Sequence, residues 1–171
     1  RMEQLGAQLL ALSRIENAGA TRTHVPVDLV AVVRQHERDF AALDIAAGKQ
    51  LRLDLSPASV SGDASALDAL VRNLIDNALR YTPAGGEVLV RTAREPGGVV
   101  LTVEDSGPGI AEAARERVFE RFHRELGTGV EGSGLGLAIV AEALQQHGGR
   151  IALDTSPTLG GLRATVTLPM A

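Results

Sequence analysis

The stretch of residues 64–82 constrains the fold of this chain most strongly. Its sequence, ASALDALVRNLIDNALRYT, repeats apolar residues at spacings of three and four, which places them on one face of a helix. Asp63 precedes the stretch as a good N-cap, and Pro83 follows it as a stop. The pattern predicts an amphipathic helix. Its apolar arc is formed by Leu67, Leu70, Val71, Leu74 and Ala78.

Alternating or apolar segments around this helix predict a sheet. The segments with strand character are residues 51–55, 87–93, 99–105, 150–155 and 163–168. The second and third flank the turn EPGG, which favours an antiparallel pair. A further helix is predicted at residues 135–149, closed by a glycine pair. Together these segments predict an α+β fold, a two-layer sandwich whose mixed, mostly antiparallel sheet carries helices on one face.

The N-terminal residues have the spacing of a helix that packs on another helix. That spacing is carried by Met2, Leu5, Leu9 and Leu12. Gly19 ends the pattern, and a second helical pattern runs from about Val27 to Ala47. We therefore divide the chain into a helical segment at residues 1–19, a linker at residues 20–26 and one domain at residues 27–171.

Composition excludes several classes of protein. With 171 residues the chain suffices for one ordinary domain with a core. A net charge of −4 argues against broad attraction to nucleic acid or an anionic membrane. The absence of cysteine excludes disulfides and thiolate metal sites. No apolar run approaches the roughly 20 residues of a membrane span, so we expect the chain as given to be soluble.

The first motif, NLIDNALRYTP, lies on the amphipathic helix. Asn73 and Asn77 are four residues apart, so their side chains lie one above the other, with Arg80 continuing the row and Tyr81 on its flank. Amide oxygens are hard ligands that suit Mg²⁺, whose coordination substrate phosphates complete. The alternative is that the two asparagines decorate or cap a surface helix.

The second motif, EDSGPGI, follows a predicted strand. Asp105 places a carboxylate at the end of that strand, and Gly107 and Gly109 allow a sharp turn and a close approach to a flat ligand. A carboxylate can accept a hydrogen bond from an exocyclic amine such as that of adenine. The alternative is an ordinary Gly-Pro turn.

The third motif, RVFERFHRE, combines apolar anchors with cations. Phe119 and Phe122 have the spacing of an anchor for a short helix. Arg121 and Arg124 could pair with phosphate oxygens, or they could be solvated surface charges.

The fourth motif, GTGVEGSGLGLAIV, is a glycine-rich loop that opens into a helix. Free backbone N–H groups at a helix start form an anion site, and glycine lets a phosphate come close. The motif is not a Rossmann fingerprint, because Leu137 stands where the last glycine would be, and it lacks the Gly-Lys-Ser/Thr of a P-loop.

Taken together and in this order, the four motifs resemble the N, G1, F and G2 boxes of sensor histidine kinases, which have the Bergerat nucleotide-binding fold shared with gyrase, Hsp90 and MutL. The resemblance runs from about Asp63 to the C-terminus. It implies a protein histidine kinase domain that binds ATP and Mg²⁺ and phosphorylates a histidine on a separate helical domain. That domain would in turn phosphorylate a response regulator receiver domain. The resemblance also implies a homodimeric full-length protein, a cytoplasmic location beside a membrane anchor, and no nucleic-acid partner.

The resemblance assigns roles residue by residue. Asn77 would bind Mg²⁺, with Asn73 as a second candidate ligand, and Asp105 would accept from the adenine amine. Tyr81 would cover the nucleoside, and residues 121–133 would form a mobile lid. Arg80 and Arg124 would approach the phosphates. The full set of implied ATP-binding residues is Asn73, Asn77, Arg80, Tyr81, Asp105, Gly107, Gly109, Ile110, Arg121, Arg124, Gly132, Ser133, Gly134, Leu135 and Gly136.

The chain departs from the family in lacking a phosphoacceptor motif. The four histidines, His24, His36, His123 and His147, lie in polar contexts without metal-ligand spacing, and we expect them at the surface. His36 comes nearest to an acceptor with HERDF but lacks the family's proline. The segment 1–19 instead resembles the end of the second helix of the dimerisation domain. We therefore expect the acceptor helix to be missing from this chain.

Two alternative functions stay open. A Bergerat ATPase or an anti-sigma-type serine kinase usually has Glu as a general base at the first N-box position. Here that position is Asn73, which cannot take a proton at neutral pH, and this favours transfer to an imidazole. The second alternative is a nucleotide-sensing module without transfer activity.

Overall fold

The computed structural model describes residues 2–17, 24–43, 46–119 and 136–170. The helices are α1 (Met2–Asn17), α2 (Leu29–Ala41), α3 (Ala64–Tyr81) and α4 (Gly136–His147). The strands are β1 (Val25–Asp28), β2 (Gln50–Leu55), β3 (Ser59–Gly62), β4 (Glu87–Glu95), β5 (Gly98–Asp105), β6 (Arg150–Thr155) and β7 (Leu162–Leu168). Two single 3-10 turns, Glu112–Ala114 and Arg117–Phe119, lie between β5 and α4. Within these described ranges, no helix has the length and apolar character needed to cross a bilayer.

Five strands form one mixed sheet in the order β2-β4-β5-β7-β6. The β2 strand is parallel to β4, and every other neighbouring pair is antiparallel. Helices α3 and α4 pack against each other and against this sheet. The predicted α+β sandwich with a mostly antiparallel sheet is confirmed, including the antiparallel β4–β5 pair.

Helix α3 begins and ends where its sequence predicts. The Asp63 side chain accepts a hydrogen bond from the Ala66 N–H at 2.9 Å, which is the N-cap. At the other end, the backbone N–H and the hydroxyl of Thr82 both bond the Ala78 carbonyl, and Pro83 follows. All five residues of the predicted apolar arc are buried in the core. Full burial of one leucine side chain contributes roughly 1.5–3 kcal/mol, so this arc fixes the helix on the sheet.

A second, two-stranded sheet was not predicted. Strand β1 pairs antiparallel with β3, with Val25 opposite Gly62. Each strand has four residues, and β1 contains Pro26, so neither carries enough alternation to show a period of two. The β1 strand begins inside the stretch that we interpreted as a linker. Helix α2 is also shorter than its predicted range of residues 27–47.

Two histidines are buried, which corrects the expectation that all four lie at the surface. His36 is 5% exposed, and its Nε2 lies 2.9 Å from Asp68 Oδ1, linking α2 to α3. His147 is 7% exposed; its Nδ1 donates to the Ala143 carbonyl, and its Nε2 accepts from the Asp63 N–H at 3.0 Å. Both residues have polar sequence neighbours, but their hydrogen-bond partners come from distant segments. His123 lies outside the described residues, and His24 is exposed.

Replacing His147 should destabilise the domain. In His147→Phe an aromatic ring still fills the buried space, but the Asp63 N–H loses its acceptor. We therefore expect the free energy of unfolding to fall by about 1–3 kcal/mol. Urea denaturation followed by circular dichroism measures this change. The control is Gln145→Ala on the exposed side of the same helix, for which we expect a change within about 0.5 kcal/mol. Equal stability of the two variants would contradict the structural role given to the imidazole.

Candidate functional site

Asp105 ends β5 with its carboxylate buried at 3% exposure. Its Oδ1 atom accepts two backbone hydrogen bonds, from the Gly107 N–H at 3.0 Å and from the Leu162 N–H at 3.1 Å. One donor belongs to the turn directly after β5, and the other is the first residue of the neighbouring strand β7. The orientation of this carboxylate is therefore fixed by both the local turn and the sheet.

Burial raises the pKa of the Asp105 carboxyl above its ordinary value, and the hydrogen bonds from the Leu162 and Gly107 N–H groups oppose this effect. An ionised carboxylate that is buried lowers the stability of the fold, and titratable groups with shifted pKa values concentrate at functional sites. The arrangement offers an acceptor of fixed direction to a ligand that carries hydrogen-bond donors.

The loop after Asp105 packs on the end of α3. A Cβ atom on Gly107 would lie 2.6 Å from the Tyr81 carbonyl oxygen, so only glycine fits there. Gly109 has a φ of +74°, a conformation that glycine adopts without strain. Ile110 is partly buried and packs against the core. The second motif thus lies directly against the C-terminal end of the first.

The first motif also meets the start of α4. Asn73 is 7% exposed, and its Nδ2 donates to the Ala69 carbonyl at 2.7 Å. A Cβ atom on Gly136, the first residue of α4, would lie 3.4 Å from Asn73 Oδ1. Asn77 lies one turn further along α3 and is half-buried. Because a helix N-terminus attracts anions, the row of amides and the start of α4 together suit a phosphate group.

Arg80 is held by its own helix. Its Nε donates to Asp76 Oδ2 at 2.9 Å, and both side chains are partly buried. A cavity of about 900 Å³ lies beside them, between α1, α2 and α3. Asn73 and Arg80 line this cavity, whereas Asn77 and Asp105 do not. Asn73 therefore lies between this cavity and the start of α4, whereas Arg80 lies at the cavity.

Part of the predicted site lies outside the described residues. These residues are Arg121, Arg124, Gly132, Ser133, Gly134 and Leu135, and their roles stay predictions. Of the third motif, Val118 is buried and Phe119 packs against the core. The short turn that contains them contacts α4, in keeping with the anchor interpretation.

Sequence reasoning missed the part of the site that β7 supplies. The Gly161 N–H donates to the Asp105 carbonyl at 3.0 Å, next to the Leu162 contact with the carboxylate. A Cβ atom on Gly161 would overlap Asp105. The only local signal was the glycine pair at residues 160–161, which resembles any turn before a strand. That β7 lies beside β5 is decided by the sheet.

Comparisons with known proteins find a matching family model and curated relatives. A model of the family described as "Histidine kinase-, DNA gyrase B-, and HSP90-like ATPase" matches residues 62–171. The sensor protein kinase PmrB of Pseudomonas aeruginosa is 37% identical over 170 residues, covering 99% of this chain and 36% of PmrB. The histidine-protein kinase BaeS of Escherichia coli (strain K12) is 34% identical over 173 residues, covering 99% of this chain and 37% of BaeS.

Solved structures show the same relationship. The structure of the mycobacterial sensor histidine kinase MprB superposes with a TM-score of 0.76 at 37% identity, covering 86% of this chain and 97% of that one. Full-length ShkA in complex with AMPPNP superposes with a TM-score of 0.78 at 29% identity, covering 98% of this chain and 35% of ShkA.

The family match covers the described polar residues of the candidate site and the start of α4. Asn73, Asn77, Asp105 and Gly136 all lie inside residues 62–171. Membership implies ATP binding, and the donor set fits ATP, because a buried acceptor suits the base and a helix start beside amides suits the phosphates. This chain belongs to the histidine kinase, DNA gyrase B and HSP90-like ATPase family.

Proposed function

We propose that this domain binds Mg²⁺-ATP and donates the γ-phosphoryl group to a histidine on a separate helical domain, as the catalytic domain of a two-component sensor histidine kinase. The observation that carries the proposal is the convergence of three motifs, with Gly107 against Tyr81 and Gly136 against Asn73. The named relatives supply the context, since they are sensor kinases. The chain spans little more than a third of the length of PmrB and BaeS.

Asp105 is the proposed adenine acceptor. Two backbone N–H groups hold Oδ1, so the carboxylate already has a fixed orientation before adenine binds. Such preorganisation lowers the entropic cost of binding. Gly107 and Gly109 would let the backbone approach the base, Ile110 would contact it, and Tyr81 would cover the nucleoside.

Asn77 and Asn73 are the proposed residues of the phosphate end. Asn77 would bind Mg²⁺, which neutralises phosphate charge when bound. Asn73 Oδ1 lies beside the start of α4, where backbone N–H groups favour an anion. Arg80, Arg121 and Arg124 are proposed to approach the phosphates, and the residues before α4 are proposed to close over them.

The chemistry of Asn73 favours transfer over hydrolysis. A side-chain amide cannot remove a proton from water or a serine hydroxyl at neutral pH, whereas a neutral imidazole is a nucleophile in itself. The Asn73 amide is moreover engaged with the Ala69 carbonyl. The ATPase and serine-kinase alternatives would need another base. We therefore infer a phosphoryl donor whose acceptor is a histidine.

The proposed partners follow from the sensor-kinase relatives. They are the dimerisation and phosphoacceptor domain of the same protein, a second copy of the chain, and a response regulator receiver domain. We also propose that residues 1–19 belong to the helical dimerisation domain and that the full protein is anchored in a membrane. In α1, Leu12 is buried in the core while Leu9 and Leu10 are 42% and 60% exposed, which suits a helix that meets a further helix.

The burial of Asp105 should appear as a cost in stability. The pKa of Asp105 is higher in the folded protein than in the unfolded chain. At pH values above this raised pKa the carboxylate is ionised, and the whole cost of burying it lowers the stability of the fold. This cost disappears as the pH falls below the ordinary range of aspartate. Asp105→Asn keeps an acceptor oxygen for both N–H groups, so it should unfold at higher urea concentration than the wild type at neutral pH, with a smaller difference in acid. A less stable variant at neutral pH would contradict the burial argument.

Asp105 should also select adenine. The exocyclic amine of ATP meets a carboxylate acceptor, whereas GTP presents an oxygen there, and a charged hydrogen bond contributes about 1.5–3 kcal/mol. Calorimetry with Mg²⁺ should show that the wild type prefers ATP and that Asp105→Asn loses most of its affinity for ATP. The control is Asp154→Asn, which removes a half-buried carboxylate paired with Arg163 on the other side of the sheet. Equal wild-type affinity for ATP and GTP would count against the assignment.

The chain alone should donate but not accept phosphate. With labelled ATP the chain should stay unlabelled and should hydrolyse ATP slowly, because Asn73 offers no base. Addition of the acceptor domain of the same protein should give acid-labile label on that domain.

Asn77→Asp should strongly reduce this transfer while the circular dichroism spectrum is unchanged, since a carboxylate changes the charge at the metal. Acid-labile label on His36 would overturn the donor-only proposal. Rapid hydrolysis without an acceptor would favour the ATPase alternative.

A further inference from the structure

A row of alternating charges crosses the face of the sheet opposite the helices. It contains one residue from each strand in sheet order, namely Asp54, Arg91, Glu104, Arg163 and Asp154. The row ends at both edges in an aspartate, of which Asp54 is exposed and Asp154 is half-buried. Its central member is different, because Glu104 is only 2% exposed. The sheet therefore buries a second carboxylate, directly beside Asp105 in the sequence.

Ser156 is the hydrogen-bond partner of the buried Glu104 carboxylate. The Ser156 hydroxyl donates to Glu104 Oε1 at 2.9 Å, and both residues are 2% exposed. The same hydroxyl accepts from the Leu159 N–H at 2.9 Å. The Ser156 backbone bonds Gly161 and Gly160 on the far side of the turn, at 2.7 Å and 3.0 Å. Ser156 thus fixes the whole turn of residues 156–161 to the end of β5.

That turn carries the groups that hold the adenine acceptor. The last residue of the turn, Gly161, donates its N–H to the Asp105 carbonyl, and directly after the turn the Leu162 N–H donates to the Asp105 carboxylate. A Cβ atom on Gly109 would lie 3.7 Å from the Gly161 carbonyl carbon, so the turn also lies against the second motif. Side chains alternate between the two faces of a strand. The turn is therefore bound to Glu104 on one face and to Asp105 on the other.

We propose that Glu104 and Ser156 are positioning residues for base recognition, acting through the turn of residues 156–161 on the carboxylate of Asp105. The inference rests on the proposed function, because it assumes that Asp105 accepts from adenine. Loss of the Ser156 hydroxyl removes the only side-chain bond between the turn and Glu104 in the part of the chain that the structure describes. The turn then keeps only its backbone bonds, so the Leu162 N–H is held less firmly and the direction of the Asp105 carboxylate is less well fixed.

A purely structural role predicts something different. If Ser156 only stabilised the turn, its loss would lower the stability of the fold and weaken both ATP and GTP by the same factor. If it positions Asp105, the preference for ATP over GTP falls, since only the adenine bond depends on the direction of the carboxylate. The ratio of the two affinities separates these cases and is independent of a general loss of folded protein.

The test compares Mg²⁺-ATP and Mg²⁺-GTP binding by calorimetry in the full chain. Ser156→Ala should lower the ratio of ATP to GTP affinity roughly fivefold, because a less well directed Asp105 carboxylate forms a weaker bond with the adenine amine. Ser156→Thr keeps a hydroxyl and should restore most of the ratio. The matched control is Thr158→Ala, which removes an exposed hydroxyl from the same turn and should leave the ratio unchanged.

An unchanged ratio in Ser156→Ala, or an equal loss for both nucleotides, would overturn the positioning role while leaving the proposed function intact. A wild type that binds neither nucleotide would overturn the proposed function itself, and this inference with it. The same loss in Thr158→Ala as in Ser156→Ala would also overturn the inference, because the effect would then not depend on Glu104.

Discussion

The hydrogen bonds that hold the Asp105 carboxylate are the interaction on which the rest of the site depends. They join three separate pieces of chain, since the acceptor ends β5, one donor lies in the following turn, and the other begins β7. A buried carboxylate is unfavourable by itself, so it persists only where backbone donors are already in place. The antiparallel pairing of β5 with β7 places one of these donors beside the carboxylate. Gly161 makes this possible, because a Cβ atom there would overlap Asp105.

Helix α3 links this acceptor to the proposed phosphate end of the site. One face of the helix is buried in the core, and the edge of that face carries Asn73 and Asn77. The helix is fixed at its start by the Asp63 cap and by His147 from the end of α4. The contact that stabilises the helix pair therefore also determines where α4 begins relative to Asn73. Core packing and site geometry are properties of the same two helices.

The end of β5 combines stability and recognition in neighbouring residues. Asp105 faces the site, and Glu104 faces the opposite side of the sheet, where Ser156 and the arginine side chains of β4 and β7 offset its burial. Two adjacent buried carboxylates would be costly if both lacked partners. Because each has its own set of donors, the strand end is held from both faces, and the Asp105 carboxylate gains rigidity that a free loop would not give.

The sequence alone determined the elements whose signal is local. The cap, apolar arc and stop of α3 lie within one stretch, the β4–β5 hairpin has its turn between its strands, and the four motifs in order identified the family. Only the tertiary structure decided the β1–β3 pairing, the burial of His36 and His147, and the contacts of Ser156 and Leu162 with the end of β5. These partners are separated by 32 to 84 residues. A local pattern carries no information about such a partner, because its position is set by how helices and strands pack against one another.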